Sequence, residues 1–236
     1  LDAFQNLKGG KIIDPFYEID ITNKKNKKLI ISDQLISLKD QFQYENLRNE
    51  VEARWRLVET AWDNNISPQL LEIQHDNDGE LLFVETNFMR RVDVTSSRDA
   101  LNGYQKGKCF YCCDEISVQK GSKNICHVDH VLPHKQKRQH LPANINGVWN
   151  LVLACATCNG AAEKSDKIPN ITFLQRLNTR NEFYIESNLP LAEAIINQTG
   201  RTSTDRENFL NTHYKISKEY NPTETWSPIN QYPCTF

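Results

Sequence analysis

The 236-residue chain has no long apolar run. Its most apolar stretches are short, such as VWNLVLACA at 148–156, and fall far below the roughly 20 residues that cross a bilayer. No membrane partner is therefore expected. The first residues, LDAFQNLKGGKIIDPF, show no charged region followed by an apolar core and a small-residue cleavage site, so they do not read as an export signal. The expected compartment is the cytoplasm. An excess of positive charge is also missing: 28 Lys and Arg against 30 Asp and Glu leave a net charge of −2. That excludes a polycation of the kind that coats nucleic acid. No internal repeat or low-complexity tract is found. A hydrophobic content of 39% and a charged content of 25% suit a soluble globular protein with one large domain or two small ones.

What charge there is falls unevenly. Between Tyr104 and Lys167, nine Lys or Arg stand against five Asp or Glu, and four of the six histidines lie there. Such an excess is ordinarily a solvated face, and it gains meaning only beside chemistry. Around this span the pattern predicts short strands in KIIDPFYEIDI and KKLIIS, flanking a basic loop with Lys24, Lys25, Lys27 and Lys28. A helix is predicted over about 45–63, where Leu47, Val51, Trp55, Val58 and Trp62 recur at three- and four-residue steps and are expected in the core. QLLEIQHDNDGELLFVE reads as a hairpin around an Asp-Gly turn. Its faint calcium-loop spacing (Asp76, Asp78, Gly79, Glu85) starts from Gln74 where an acid is needed, so the hairpin is preferred. TSSRDALNGYQKG reads as a short helix capped by Ser96 or Ser97 and closed by Gly107. Further helices are predicted at roughly 171–185, 190–199 and 204–219.

Cysteine is concentrated. Six of the seven cysteines fall between Cys109 and Cys158. In a chain without an export signal, C-x-x-C pairs point to metal ligation rather than disulfides. Cys109 and Cys112, with Cys155 and Cys158, form two thiolate pairs of the kind that hold tetrahedral Zn²⁺. Four sulfurs fill the coordination sphere, so such a zinc is structural. The alternative is four reduced core cysteines. Cys113 can replace Cys112 only with a different knuckle spacing, and Cys126 and Cys234 are left over. Closing the 42 residues between the pairs is entropically costly, so the metal is expected to hold a folded insert together.

That insert carries HVDHVLPH at 127–134 and, ahead of the second pair, NGVWNLVLAC. Two short β-prone runs and a helix over about 156–164 would bring Asp129, His130, Asn150 and Asn159 together. HVDHVLP, WNLVLACATCN and KSDKIP resemble the HNH endonucleases, also called ββα-metal or His-Me finger nucleases. The zinc-stapled C-x-x-C…D-H…N…C-x-x-C-N type of stand-alone bacterial HNH proteins is the most similar. The HNH domain of RNA-guided CRISPR nucleases shares D-H…N…N without the cysteines. The resemblance covers about 98–170.

The resemblance implies an α+β fold, with a central ββα-metal HNH fold stapled by a four-cysteine zinc. An α/β amino-terminal region (1–95) and a helical carboxy-terminal region (171–236) would flank the nuclease domain (96–170). It implies that His130 is the general base for the water attacking a phosphate, a task that suits an imidazole. Asp129 and Asn159 would hold one Mg²⁺ or Mn²⁺ through hard oxygens, and Asn150 would fix the loop and the imidazole. The last letter of H-N-H is here Asn159 rather than histidine. Lys135, Lys137, Arg138 and Lys164 are expected as phosphate contacts. His127 and His134 are expected at the surface or in packing, and Trp149 in the core. The implied activity is metal-dependent hydrolysis of DNA, double-stranded for preference, in bacterial or phage defence or restriction. A second copy of the chain or a regulatory protein is the further partner considered. The competing expectations are a zinc-stapled nucleic-acid-binding module without catalysis, and an RNA-targeting or toxin HNH nuclease.

Overall fold

The computed structural model describes residues 17–37, 39, 48, 51–52, 55–56, 59, 73–76, 81–85, 91–133, 145–186, 191–222 and 224–234. Leu1–Arg48 forms one compact unit and Asn49–Phe236 another. In the first, β1 (Tyr17–Asp20) pairs antiparallel with β2 (Lys28–Ile31) across the basic loop, as the sequence predicts, and α1 (Asp33–Ser37) follows.

Residues 48, 51, 52, 55, 56 and 59, within the first long helix that the sequence predicts, are helical. The expected burial is corrected there: Val51 and Trp55 are exposed, and the Trp55 indole N–H donates to Glu59 at 2.6 Å. Leu47, Val58 and Trp62 lie outside the described residues. In the second unit, the predicted hairpin is present as β3 (Ile73–Asp76) and β4 (Leu81–Glu85), and a third strand not predicted, β5 (Arg91–Ser96), pairs with β4. Asp78 and Gly79 lie outside the described residues.

Helix α2 (Ser97–Gln105) ends at Gly107, whose φ of +74° suits glycine and whose N–H is capped by the Asn102 side chain at 2.8 Å. Gln105 anchors this helix end to the next sheet. Its amide oxygen accepts from Leu153 N–H, and its amide nitrogen donates to Leu153 C=O. That sheet has two strands, β6 (His127–His130) and β7 (Leu151–Ala154), antiparallel with His130 opposite Leu151. The residues Val148–Asn150 just before β7 form a 3-10 turn.

Three helices close the unit: α3 (Ile171–Glu186), α4 (Leu191–Thr199) and α5 (Ser203–Tyr220). The start of α5 follows from its capping box, in which Thr202 and Asp205 satisfy each other's main-chain N–H. Trp149 is fully buried and meets Phe209 of α5 edge-on at 5.0 Å, so it is a core anchor. From α3, Arg180 donates to the carbonyls of Val148 and Trp149, and Asn181 to that of Trp149. The core therefore runs continuously from α2 through β6 and β7 to α5. The fold is mixed α+β with small sheets and a cysteine cluster. Among the described residues, no helix is long and apolar enough to cross a membrane.

Candidate metal centre

The four cysteines of the two C-x-x-C pairs come together, with their sulfurs within 4.8 Å of one another, in an arrangement that can hold a metal ion. Both knuckles close with the same bond: Cys113 N–H donates to Cys109 C=O, and Asn159 N–H to Cys155 C=O, each at 3.0 Å. Main-chain N–H groups also point at sulfur, from Cys155 to Cys109 Sγ (3.3 Å) and from Cys158 to Cys155 Sγ (3.4 Å). Such donors favour the thiolate. Hydrogen bonding from Cys109, then Cys112 and Cys158, holds the Cys155 thiol far below its ordinary range. The same crowding by Cys109, Cys112 and Cys155 pushes Cys158 far up. One anion among four packed sulfurs makes the next deprotonation harder unless a cation is bound.

Cys113 does not stand in for Cys112. It is disulfide-bonded to Cys234, one of the two cysteines left over from the clamp, and so is not available as a metal ligand. Its left-handed φ of 63° turns it away from the knuckle toward the carboxy-terminal segment. That segment crosses the first knuckle, where Tyr232 N–H donates to Cys112 C=O at 2.7 Å. Cys126 is a buried core thiol outside any disulfide.

The second knuckle leads into a run of turns over 156–166, where the sequence predicts a helix. The chain closes short bonds there, Gly160 to Thr157 and Glu163 to Gly160, and Ser165 takes a left-handed φ of 41°. The run instead turns Lys164 inward, with its N–H donating to Cys158 C=O at 3.1 Å.

Lys164, expected to meet phosphate, is 0% exposed. Its ammonium lies 3.0 Å from Asp129 Oδ2 and donates to the His130 carbonyl at 2.7 Å. Tyr111, inside the first knuckle, donates to the same Asp129 oxygen at 2.6 Å. Burial, and then the Asp129 charge, push the Tyr111 phenol well above its ordinary range, so it keeps its proton and remains a donor. Among the described residues none donates to Asp129 Oδ1. That carboxylate oxygen and the amide oxygen of half-buried Asn159 are hard donors that suit Mg²⁺ or Mn²⁺.

Asp129 and His130 end β6, and both are buried. Beyond them the ladder continues irregularly, with Val131 N–H donating to Asn150 C=O at 2.9 Å. The fully buried Asn150 side chain then takes Leu132 N–H (2.8 Å), Leu132 C=O (2.9 Å) and Ile145 C=O (3.0 Å). Asn150 thus fixes the loop that leaves β6. His127 is half-buried on β6. His134, Lys135, Lys137 and Arg138 lie outside the described residues.

Tyr111, Arg180 and the Cys113–Cys234 link escape a reading of the sequence. Tyr111 alone carries a local signal, an aromatic donor placed between two candidate ligands. Compared with models of protein families, with curated proteins and with solved structures, the chain matches none.

Proposed function

We propose that the chain is a metal-dependent HNH endonuclease that hydrolyses phosphodiester bonds in DNA, with a structural zinc in the four-cysteine cluster. One observation carries the reading: Asp129 and His130 end a strand whose exit loop is stapled by Asn150, while Asn159 leaves the knuckle that the cysteine cluster closes. Strand, loop and strand around a four-sulfur clamp support the D-H…N…C-x-x-C-N reading, with turns over 156–166 in place of its expected helix.

In this reading the His130 imidazole takes the proton from the attacking water. Asn150 holds the loop and so keeps His130 in place. Asp129 Oδ1 and Asn159 hold Mg²⁺ or Mn²⁺, which when bound supplies positive charge at the phosphate and at the departing oxygen. One such centre cuts one strand, so cutting both needs a second copy or a second nick.

Cleavage of supercoiled plasmid with Mg²⁺ or Mn²⁺ is the test. The parent chain should convert it to nicked or linear DNA, and His130→Ala should not. Equal activity in the two, or none in the parent, sinks the enzyme. Metal analysis tests the clamp separately: about one zinc per chain is expected, and it is lost in Cys155→Ser.

A second reading, a nucleic-acid-binding module without catalysis, is favoured by the neutralisation of Asp129 by a buried lysine. It predicts DNA binding that His130→Ala leaves intact and no cleavage by either chain.

A further inference from the structure

We infer that the four-cysteine clamp sets the ion-binding carboxylate beside it: Tyr111 and Lys164 grip Asp129 by Oδ2 and leave Oδ1 as the one oxygen presented to a divalent ion. The inference rests on the nuclease reading and adds two positioning residues to it.

Both grips grow out of the clamp. Tyr111 lies between Cys109 and Cys112 in the first knuckle. Lys164 is held through its own N–H to the carbonyl of Cys158 in the second. The two polar groups meet the same oxygen, at 2.6 Å and 3.0 Å.

Neither grip has room to swing. The Tyr111 ring is wedged edge-on against Phe173 at 5.4 Å and Trp226 at 5.2 Å. The Lys164 ammonium is completely buried and is also tied to the His130 carbonyl. Rotating the Asp129 carboxylate would break the Tyr111 hydrogen bond to a charged acceptor and the buried ion pair with Lys164 at once. Mg²⁺ demands near-ideal octahedral geometry, so a carboxylate with one free, fixed oxygen is a pre-aligned single-oxygen ligand. The opposite possibility is that the two groups compete with the ion for Asp129, and it predicts the opposite sign on removing one of them.

The test uses the full chain and Mn²⁺ as the probe. Bound Mn²⁺ is counted by loss of the solution paramagnetic resonance signal, and zinc is measured on the same samples. Tyr111→Phe removes one hydroxyl, changes no charge and keeps the ring in its packing. It should retain its zinc and bind Mn²⁺ roughly 10- to 100-fold more weakly. Asp129→Asn should abolish the site. Unchanged or tighter Mn²⁺ binding in Tyr111→Phe overturns the positioning role. Loss of zinc in that variant also overturns it, by moving the hydroxyl's part into clamp stability. A parent chain that binds no Mn²⁺ overturns the ion site and this inference together. A parent that binds while Tyr111→Phe equals it overturns the inference alone.

Discussion

The Asn150 side chain takes both main-chain groups of Leu132, accepting from its N–H at 2.8 Å and donating to its carbonyl at 2.9 Å. An asparagine is the one small side chain that offers an acceptor and two donors in a plane. The third bond, to Ile145 C=O, joins the loop's far end to the same residue.

Asn150→Ala leaves three buried main-chain groups without their partner. A loss of about 3 kcal/mol in unfolding free energy is expected, since each orphaned buried group costs roughly 1–3 kcal/mol and some gain water. Urea denaturation of the two chains measures it. A loss under about 1 kcal/mol would mean that the loop is held by something else.

Lys164→Met strips Asp129 of its buried counter-ion. Removing one member of such a pair costs about 3–5 kcal/mol, because the remaining charge stays buried and uncompensated. Lys164→Met combined with Asp129→Asn should therefore be more stable than Lys164→Met alone. A double-mutant cycle by denaturant unfolding reads the coupling. Additive effects would show that the 3.0 Å contact carries no energy.

What is legible in the sequence is local. The approximate spans of α3, α4 and α5 are legible, and the β3–β4 hairpin is marked by the Asp-Gly pair between its two apolar runs. The C-x-x-C spacing identifies the four sulfurs that converge. What escapes depends on distant partners. Lysine is ordinarily a surface residue, and only the turns after Cys158 carry Lys164 beneath Asp129. Cys113 and Cys234 stand 121 positions apart, and pairing over that distance has no sequence signal. Val51 and Trp55 have helical spacing, yet periodicity shows only that a face exists and not that anything covers it. β5 is only six residues long, and its final serine reads equally well as the cap of α2.

The Cys113–Cys234 link predicts a thiol count. With the chain denatured and unreduced, five of the seven cysteines should alkylate, and after reduction all seven, as intact mass will show. Cys234→Ser should lower the unfolding midpoint under non-reducing conditions. Chain entropy sets an upper value of about 5 kcal/mol for a loop of this length. The same variant should match the parent once both are reduced, because only the covalent constraint distinguishes them. Seven reactive thiols without reductant would remove the link.

His213 on α5 gives the chain a pH dependence apart from the cysteine cluster. Its Nδ1 lies 2.7 Å from the Phe209 carbonyl and donates to it, which leaves Nε2 as the bare nitrogen. Nε2 is buried with no hydrogen-bond partner among the described residues, so a proton added there would be desolvated and unpaired. Burial, partly offset by the Phe209 bond, accordingly holds this histidine below its ordinary 6.5. Between that lowered value and 6.5 the unfolded chain binds more protons than the folded one, so stability rises with pH through the window. The contribution is complete above the unfolded value and is lost as pH falls through the folded one. His213→Gln cannot titrate, so its unfolding free energy should fall less between about pH 7.5 and pH 5 than the parent's. Parallel pH profiles for the two chains would show that the ring titrates alike in the folded and unfolded states.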